Sequence, residues 1–171
     1  MSYPGPAPTS PDPDVQAARM VGLTDSQRQA ILDAANGDTQ KAALMENILR
    51  VENRGRSSVN NNIESNRKAL GAFQITPPAW LQFGQGDWET NARDFNASAN
   101  TASRMIDWIG RHYSPDPGVI AAYYNGGSRA AHHVMAGLEP PARETQNYVR
   151  IMRGLYAPQN PRITGTDQIS P

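Results

Sequence analysis

Apolar residues recur at helical spacing along most of this chain, and no segment shows the sustained apolar–polar alternation of a β-strand. A short stripe of Met45, Leu49 and Glu52 occupies the i, i+4 and i+7 positions of one helix face. The longest stripe advances by four and three residues in turn, through Phe95, Ala99, Ala102, Ile106, Ile109 and Tyr113. These stripes predict a mainly helical fold with one buried core.

Capping residues, glycines and prolines predict where the helices begin and end. Thr24 and Gln27 have the spacing of a capping box, and Thr76 followed by two prolines is typical of a helix start. The polar stretch from 56 to 68 has no clear period and is predicted as a loop. Helices are predicted from Thr24 to Asn36, from Asp38 or Thr39 to Glu52, from Thr76 to Gly84, from Phe95 to Tyr113, from Val119 to Tyr124, from Ser128 to Ala136, and after Pro141 to about Leu155.

Prolines concentrate at both ends of the chain, at positions 4, 6, 8, 11 and 13 and again at 158, 161 and 171. Segments of this kind are extended and contribute little to a core, so residues 1–14 are expected to be poorly ordered. The length of 171 residues fits one domain with tails. We therefore predict an N-terminal arm at 1–20, a single domain at 21–156 and a C-terminal tail at 157–171.

Charge and composition narrow the classes of partner. The chain has 16 Lys and Arg residues against 16 Asp and Glu residues, so its formal net charge is zero. This balance argues against nucleic acid or an anionic membrane as the main partner. Cysteine is absent, which excludes disulfides and thiolate metal sites, and no apolar run approaches the roughly 20 residues of a transmembrane helix.

Glu52 is the strongest candidate for chemistry. It stands at the end of an apolar stripe, immediately before Asn53, Arg54 and Gly55 end the helix. Burial disfavours the ionised form of a carboxyl group, so its pKa should rise toward neutrality. A carboxyl that holds its proton near neutral pH can act as the general acid in glycosidic cleavage.

Three further segments accompany Glu52 in a fixed order. After Val-Glu-Asn at 51–53 come Gly-Ala-Phe-Gln-Ile at 71–75, Ala-Tyr-Tyr-Asn-Gly-Gly at 122–127 and Glu-Thr-Gln-Asn-Tyr-Val at 144–149. Together they resemble the soluble lytic transglycosylase family of the lysozyme-like superfamily, over about residues 38–156. The gap between the first two segments is similar to that of the smaller members associated with virions and secretion systems. The resemblance implies a lysozyme-like, mainly α single domain with a central catalytic helix and a substrate cleft.

The resemblance also implies roles for individual residues. Glu52 is the expected catalytic residue, and Tyr148 is expected to reach toward its carboxylate and help to position it. Glu144 is expected to be a structural partner rather than a second catalyst. The residues expected to bind substrate are Asn53, Gln74, Tyr124, Asn125 and Tyr148. Asn53 stands where the family has Ser, and its side chain could instead form a hydrogen bond with the backbone.

The implied activity is cleavage of the MurNAc–GlcNAc bond of peptidoglycan with formation of 1,6-anhydro-MurNAc ends. Most glycosidases use two carboxylates, and the positions just before Gly71 hold no acid, which favours a mechanism with Glu52 alone. One alternative is a hydrolytic muramidase in which Glu64 or Asp94 supplies the second carboxylate. Another is a structural virion or secretion component with a glycan-binding cleft.

No cofactor is expected, because His112, His132 and His133 form no zinc-like spacing with an acidic residue. The three tryptophans are expected mainly in the core, although one could stack on a sugar ring. Residues 1–20 show neither the basic nor the apolar region of a signal peptide. We therefore expect the protein to travel in a virion, tethered to other virion or secretion proteins through its tails, and to open the wall during phage genome entry. The alternative is a periplasmic enzyme whose signal peptide has been removed.

Overall fold

The computed structural model describes residues 11–66 and 68–157, and regular structure in this part of the chain consists of eight α-helices with a few isolated β-bridges. The helices are α1 Pro13–Arg19, α2 Asp25–Ala34, α3 Thr39–Glu52, α4 Pro77–Phe83, α5 Trp88–Asn91, α6 Phe95–His112, α7 Pro117–Met135 and α8 Arg143–Tyr156. The mainly helical fold is therefore confirmed. Residues 1–10 of the predicted arm and 158–171 of the predicted tail lie outside the described residues.

Helix α3 lies at the centre of the core and packs against α1, α2, α6 and α8. The Asp38 carboxylate caps its start by accepting hydrogen bonds from the backbone N–H groups of Gln40 and Lys41, each at 3.0 Å. Its buried side chains are Ala42, Leu44, Met45, Ile48, Leu49 and Val51. Glu52 is the last residue of the helix, as predicted, so its backbone is held by an element that is packed on several sides.

Other predicted helices are confirmed by their caps and buried faces. Thr24 and Gln27 form a reciprocal capping box at the start of α2, with hydrogen bonds of 2.9 and 3.1 Å. The hydroxyl of Thr76 accepts a hydrogen bond from the N–H of Ala79 and caps α4. The longest stripe predicted from the sequence becomes α6, in which Ala99, Ala102, Ile106 and Ile109 are all buried.

Two short helices were not predicted. Helix α1 lies within the predicted arm at 1–20, and it forms because Asp12 caps it and Val15 and Ala18 are buried on one face. That face packs against α8, so residues 13–19 belong to the packed unit. The extended chain predicted for residues 1–14 is therefore wrong at positions 13 and 14, which are helical. Helix α5 has only four residues, too few for a hydrophobic period to identify.

Element α7 consists of two helical segments that meet at a kink, in agreement with the two helices predicted at 119–124 and 128–136. The kink lies at Gly127, whose backbone has the non-helical angles φ 74° and ψ −165°. The sequence located the interruption correctly at the glycine pair. The kink lies two residues after Asn125, and α7 packs closely against α8.

No helix in the described residues combines the length and apolar character needed to cross a membrane.

Candidate active site

A cleft of about 380 Å³ lies at the end of α3, between the loop that follows it and the helices α7 and α8. Four separate parts of the chain converge there, although they are distant in sequence. The cleft is lined by Glu52, Ser65, Asn66, Ala69, Gln74, Thr76, Tyr124, Asn125 and Glu144. The structure therefore brings together four of the residues singled out above, Glu52, Gln74, Tyr124 and Asn125, with Glu144 beside them.

The carboxyl group of Glu52 is partly buried at the base of this cleft. Desolvation by burial raises its pKa from 4.5 to about 7, with a further small increase from the nearby charge of Glu144. The hydroxyl of Tyr148 and the guanidinium of Arg54 act in the opposite direction, because both stabilise the ionised form. A pKa near neutrality lets the same group donate a proton and then accept one.

Tyr148 lies behind Glu52 rather than in the cleft. Its side chain is buried, and its hydroxyl donates a hydrogen bond of 2.9 Å to Oε1 of Glu52. The structure thus places its hydroxyl against the carboxylate, as the resemblance implied. The side chain does not line the cleft, and its assignment as a substrate-binding residue stays a prediction. Burial and the charge of Glu52 keep the pKa of the phenol well above its usual range, so the phenol remains a donor.

Asn53 does not line the cleft, and its assignment to substrate binding also stays a prediction. Its side chain is fully buried, and the amide nitrogen donates to the carbonyl oxygens of Leu49 at 2.7 Å and Ala72 at 2.9 Å. Its Oδ1 accepts a hydrogen bond from the backbone N–H of Asn60. Asn53 therefore joins the end of α3 to two loops, which is the backbone-bonding role that was left open for it.

The turn at residues 71–75 forms one wall of the site. Gly71 has φ 79°, and a Cβ atom there would lie 1.9 Å from the carbonyl oxygen of Ala92, so this position requires glycine. The amide nitrogen of Gln74 donates to the carbonyl oxygens of Ile63 and Gly71, at 3.1 and 2.9 Å. Since an amide has only two N–H donors, the group that Gln74 can offer a ligand is its carbonyl oxygen.

Helices α7 and α8 provide the opposite wall. The hydroxyl of Tyr124 donates a hydrogen bond of 2.6 Å to the carbonyl oxygen of Phe73, which ties α7 to the turn at 71–75. The side-chain oxygen of Asn125 accepts from the Thr145 hydroxyl at 2.8 Å, and its nitrogen donates to Glu144 at 3.3 Å. Asn125 is thereby held with its amide group at the cleft.

Several residues of the cleft were not predicted. Ser65 and Asn66 come from the polar loop at 56–68, which has no period that would indicate which side chains face inward, and Ala69 directly follows that loop. Thr76 was predicted only as a helix cap. The hydroxyl and amide groups of Ser65, Asn66 and Thr76 can bond a sugar ring, and the polar composition of the loop was the only signal for the first two.

The two carboxylates considered for hydrolysis lie elsewhere. Glu64 forms an ion pair with Arg93 at 3.6 Å, and Asp94 caps α6 by accepting from the N–H of Ala97 at 2.8 Å. Neither lines the cleft, whereas Glu144 does. Within residues 11–66 and 68–157, no group of three or more His, Asp or Glu side chains is placed to hold a metal ion.

Comparison with known families agrees with this geometry. A family model described as the transglycosylase SLT domain matches residues 29–140, which include Glu52, Gln74, Tyr124 and Asn125. Tyr148 and Glu144 lie beyond the matched range, on α8. No curated protein sequence matches the chain. Because the matched range covers most of the 171 residues, the chain belongs to the soluble lytic transglycosylase family of the lysozyme-like superfamily and acts on peptidoglycan.

Proposed function

We propose that the chain cleaves the bond between MurNAc and GlcNAc in peptidoglycan and leaves 1,6-anhydro-MurNAc ends, with Glu52 as its single catalytic residue. One observation carries this proposal. Glu52 lines a cleft, and the pKa of its carboxyl group lies at about 7. Apart from Ala69, the neighbouring side chains that line the cleft carry amides, hydroxyls and one further carboxylate, which suit a polar glycan.

In the proposed first step, protonated Glu52 donates its proton to the oxygen that links the two sugars, and the bond from that oxygen to C1 of MurNAc breaks. The acetamido group of the same sugar stabilises the positive charge at C1, a recognised exception to the two-carboxylate scheme. In the second step, ionised Glu52 removes the proton from the 6-hydroxyl, whose oxygen bonds C1. The ring closes, no water is consumed, and Glu52 returns to its protonated state.

Tyr148 supports both steps by holding the Glu52 carboxylate in one orientation through the 2.9 Å hydrogen bond. Because this bond favours the ionised form, it offsets part of the effect of burial and keeps both protonation states accessible near pH 7. The Tyr124 hydroxyl ties the turn at 71–75 to α7, and Gln74 braces the same turn from within through Gly71, which together support the walls of the cleft.

The first test is replacement of Glu52 by Gln, which has the same shape but cannot donate or accept the proton. We expect lysis of purified sacculi to fall by at least about a hundredfold, the typical worth of general acid–base catalysis. The matched control is Glu89→Gln, the same change at an exposed position on α5. Lysis at the wild-type rate in the Glu52→Gln protein would refute the assignment.

Hydrolysis remains the competing function, because Glu144 is a second carboxylate at the cleft. A hydrolase would need Glu144 to activate water, whereas the proposed mechanism does not use it as a base. We therefore expect Glu144→Gln to retain anhydro products. Loss of all products in this variant, with folding intact, would favour hydrolysis.

We further propose that the enzyme operates from a larger assembly, as a virion component that opens the wall locally during genome entry. The Pro-rich composition at both ends of the chain supports this, because such segments tether a compact enzyme without a large interface. Purified particles should contain the chain at a fixed copy number. Its presence only in the periplasmic fraction of uninfected cells would instead support the secretion-associated alternative.

A further inference from the structure

A cluster of six aromatic rings lies on the surface where the C-terminal half of α6 meets α4 and α7, outside the cleft described above. Trp108 is its hub, with ring centroids 4.2 Å from His112, 5.5 Å from Tyr123, 5.8 Å from Phe83 and 6.0 Å from Tyr113. Tyr113 also lies 5.1 Å from Tyr123 and 5.2 Å from His132. None of the six rings is fully buried, and both histidines are exposed. We name this set the aromatic cluster.

The polar edges of the aromatic cluster distinguish it from ordinary core packing. The indole N–H groups of Trp80 and Trp88 donate to backbone carbonyl oxygens, at 3.0 and 2.9 Å. Within the described residues, by contrast, Trp108, Tyr113 and Tyr123 make no hydrogen bond through their ring nitrogen or hydroxyls, and none of those three atoms is sealed from solvent. Buried aromatic residues normally find such partners. With respect to the described residues, these three donors are therefore available to water or to a ligand.

Two elements carry residues of both the cluster and the cleft. On α7, Tyr123 of the cluster directly precedes Tyr124, which lines the cleft. Along α4, Thr76 lines the cleft and Phe83 contacts Trp108, and seven residues of helix span about 10 Å at 1.5 Å per residue. A polymer that occupies the cleft and extends over this edge would meet the cluster within a short distance.

We propose that the aromatic cluster is a second binding site for the glycan strand, which holds the polymer beside the cleft. Sugar rings present apolar C–H faces and hydroxyl edges together, and a surface of partly exposed rings with outward-facing donors matches both features. This inference rests on the proposed function, because it takes peptidoglycan glycan as the ligand. It predicts that the cluster contributes to binding of long strands and not to the chemistry at Glu52.

The test measures binding of the Glu52→Gln protein, whose lysis is expected to be at least about a hundredfold slower, to purified, insoluble sacculi by sedimentation. Adding Tyr113→Phe and Tyr123→Phe removes two hydroxyls and keeps both rings, so packing is preserved. We expect a roughly three- to tenfold weaker apparent Kd, the effect of losing one or two hydrogen bonds that compete with water. The matched control is Leu81→Ala, which removes an apolar side chain that is 89% exposed on α4 and lies outside the cluster.

A second measurement separates the cluster from the cleft. In the protein with Glu52 intact, the two Tyr→Phe changes should slow release of products from sacculi while turnover of a short soluble glycan fragment is unchanged. Unchanged binding of sacculi by the double variant, or an equal loss on both substrates, would overturn the inference. The binding assay does not depend on turnover, so its result is valid whatever products the wild-type protein releases. If the wild-type protein yields no anhydro products but the double variant binds sacculi more weakly, the proposed function fails and the second glycan site is retained.

Discussion

Replacing Glu52 by Gln should stabilise the protein at high pH, because the native state holds this carboxyl group in a site that disfavours its charge. The pKa of Glu52 is raised from 4.5 to about 7 on folding. Between these two pH values the folded protein binds more protons than the unfolded chain, so the free energy of unfolding falls as pH rises. The wild-type protein therefore carries no penalty from this group below about pH 4.5 and the full penalty above about pH 7.

The size of the penalty follows from the pKa difference. At 1.36 kcal/mol per pKa unit, a shift from 4.5 to about 7 corresponds to about 3 kcal/mol. Glutamine is neutral at all pH values and its carbonyl oxygen can still accept the hydrogen bond from Tyr148. The Glu52→Gln variant should therefore match the wild-type protein near pH 4 and exceed its free energy of unfolding by about 2–3 kcal/mol near pH 8.

The assay is denaturant unfolding of both proteins at intervals from pH 4 to pH 8.5, with the m-value checked for constancy. Glu89→Gln serves as the control for an exposed carboxylate and should show no such pH-dependent gain. A stability difference that is constant across this range, or that grows toward low pH, would refute the reasoning that burial governs the chemistry of Glu52.

Three further substitutions test the surroundings of the site. Tyr148→Phe removes a hydrogen bond that stabilises ionised Glu52, so the pKa of Glu52 should rise. The alkaline limb of the pH profile of kcat/KM should then move upward by roughly one pH unit, and a downward movement would contradict this role. Asn53→Ala removes three hydrogen bonds to backbone groups, two of them buried, although the carbonyl oxygen of Leu49 keeps the backbone N–H of residue 53. At about 1 kcal/mol for each bond, the free energy of unfolding should fall by about 3 kcal/mol in denaturant titrations, and loss of activity at unchanged stability would instead indicate substrate contact. Gly71→Ala should reduce thermal stability far more than Gly55→Ala. Both positions have positive φ, but only a Cβ atom at Gly71 would clash with backbone, and equal losses of stability would contradict this clash.

Much of the fold followed from local signals. The boundaries of α3 were predicted because Asp38 caps one end and a glycine follows the other, and α6 was predicted because its stripe spans five turns. Helix α1 was missed because the prolines around it indicated an extended chain, and two apolar residues gave too weak a helical period. Those two residues are buried only because α1 packs against α8. A tertiary contact of this kind cannot be predicted from a local sequence pattern.

The site was predicted in part. Glu52 was found from its stripe, but the pairing with Tyr148 joins positions 96 residues apart and was expected only through the family resemblance. The backbone partners of Asn53 could not be predicted, because Ala72 and Asn60 lie in loops whose course no hydrophobic period reveals. For the same reason, the sequence could not predict that Ser65 and its neighbours face the cleft.

The most direct test of the account is digestion of sacculi in water enriched in heavy oxygen, followed by mass spectrometry of the soluble muropeptides. Intramolecular attack by the 6-hydroxyl consumes no water, so we predict anhydro products that are lighter than reducing-end products by one water and carry no heavy oxygen at C1. Products that each contain one heavy oxygen at the reducing end, and no anhydro species, would contradict transglycosylation by Glu52.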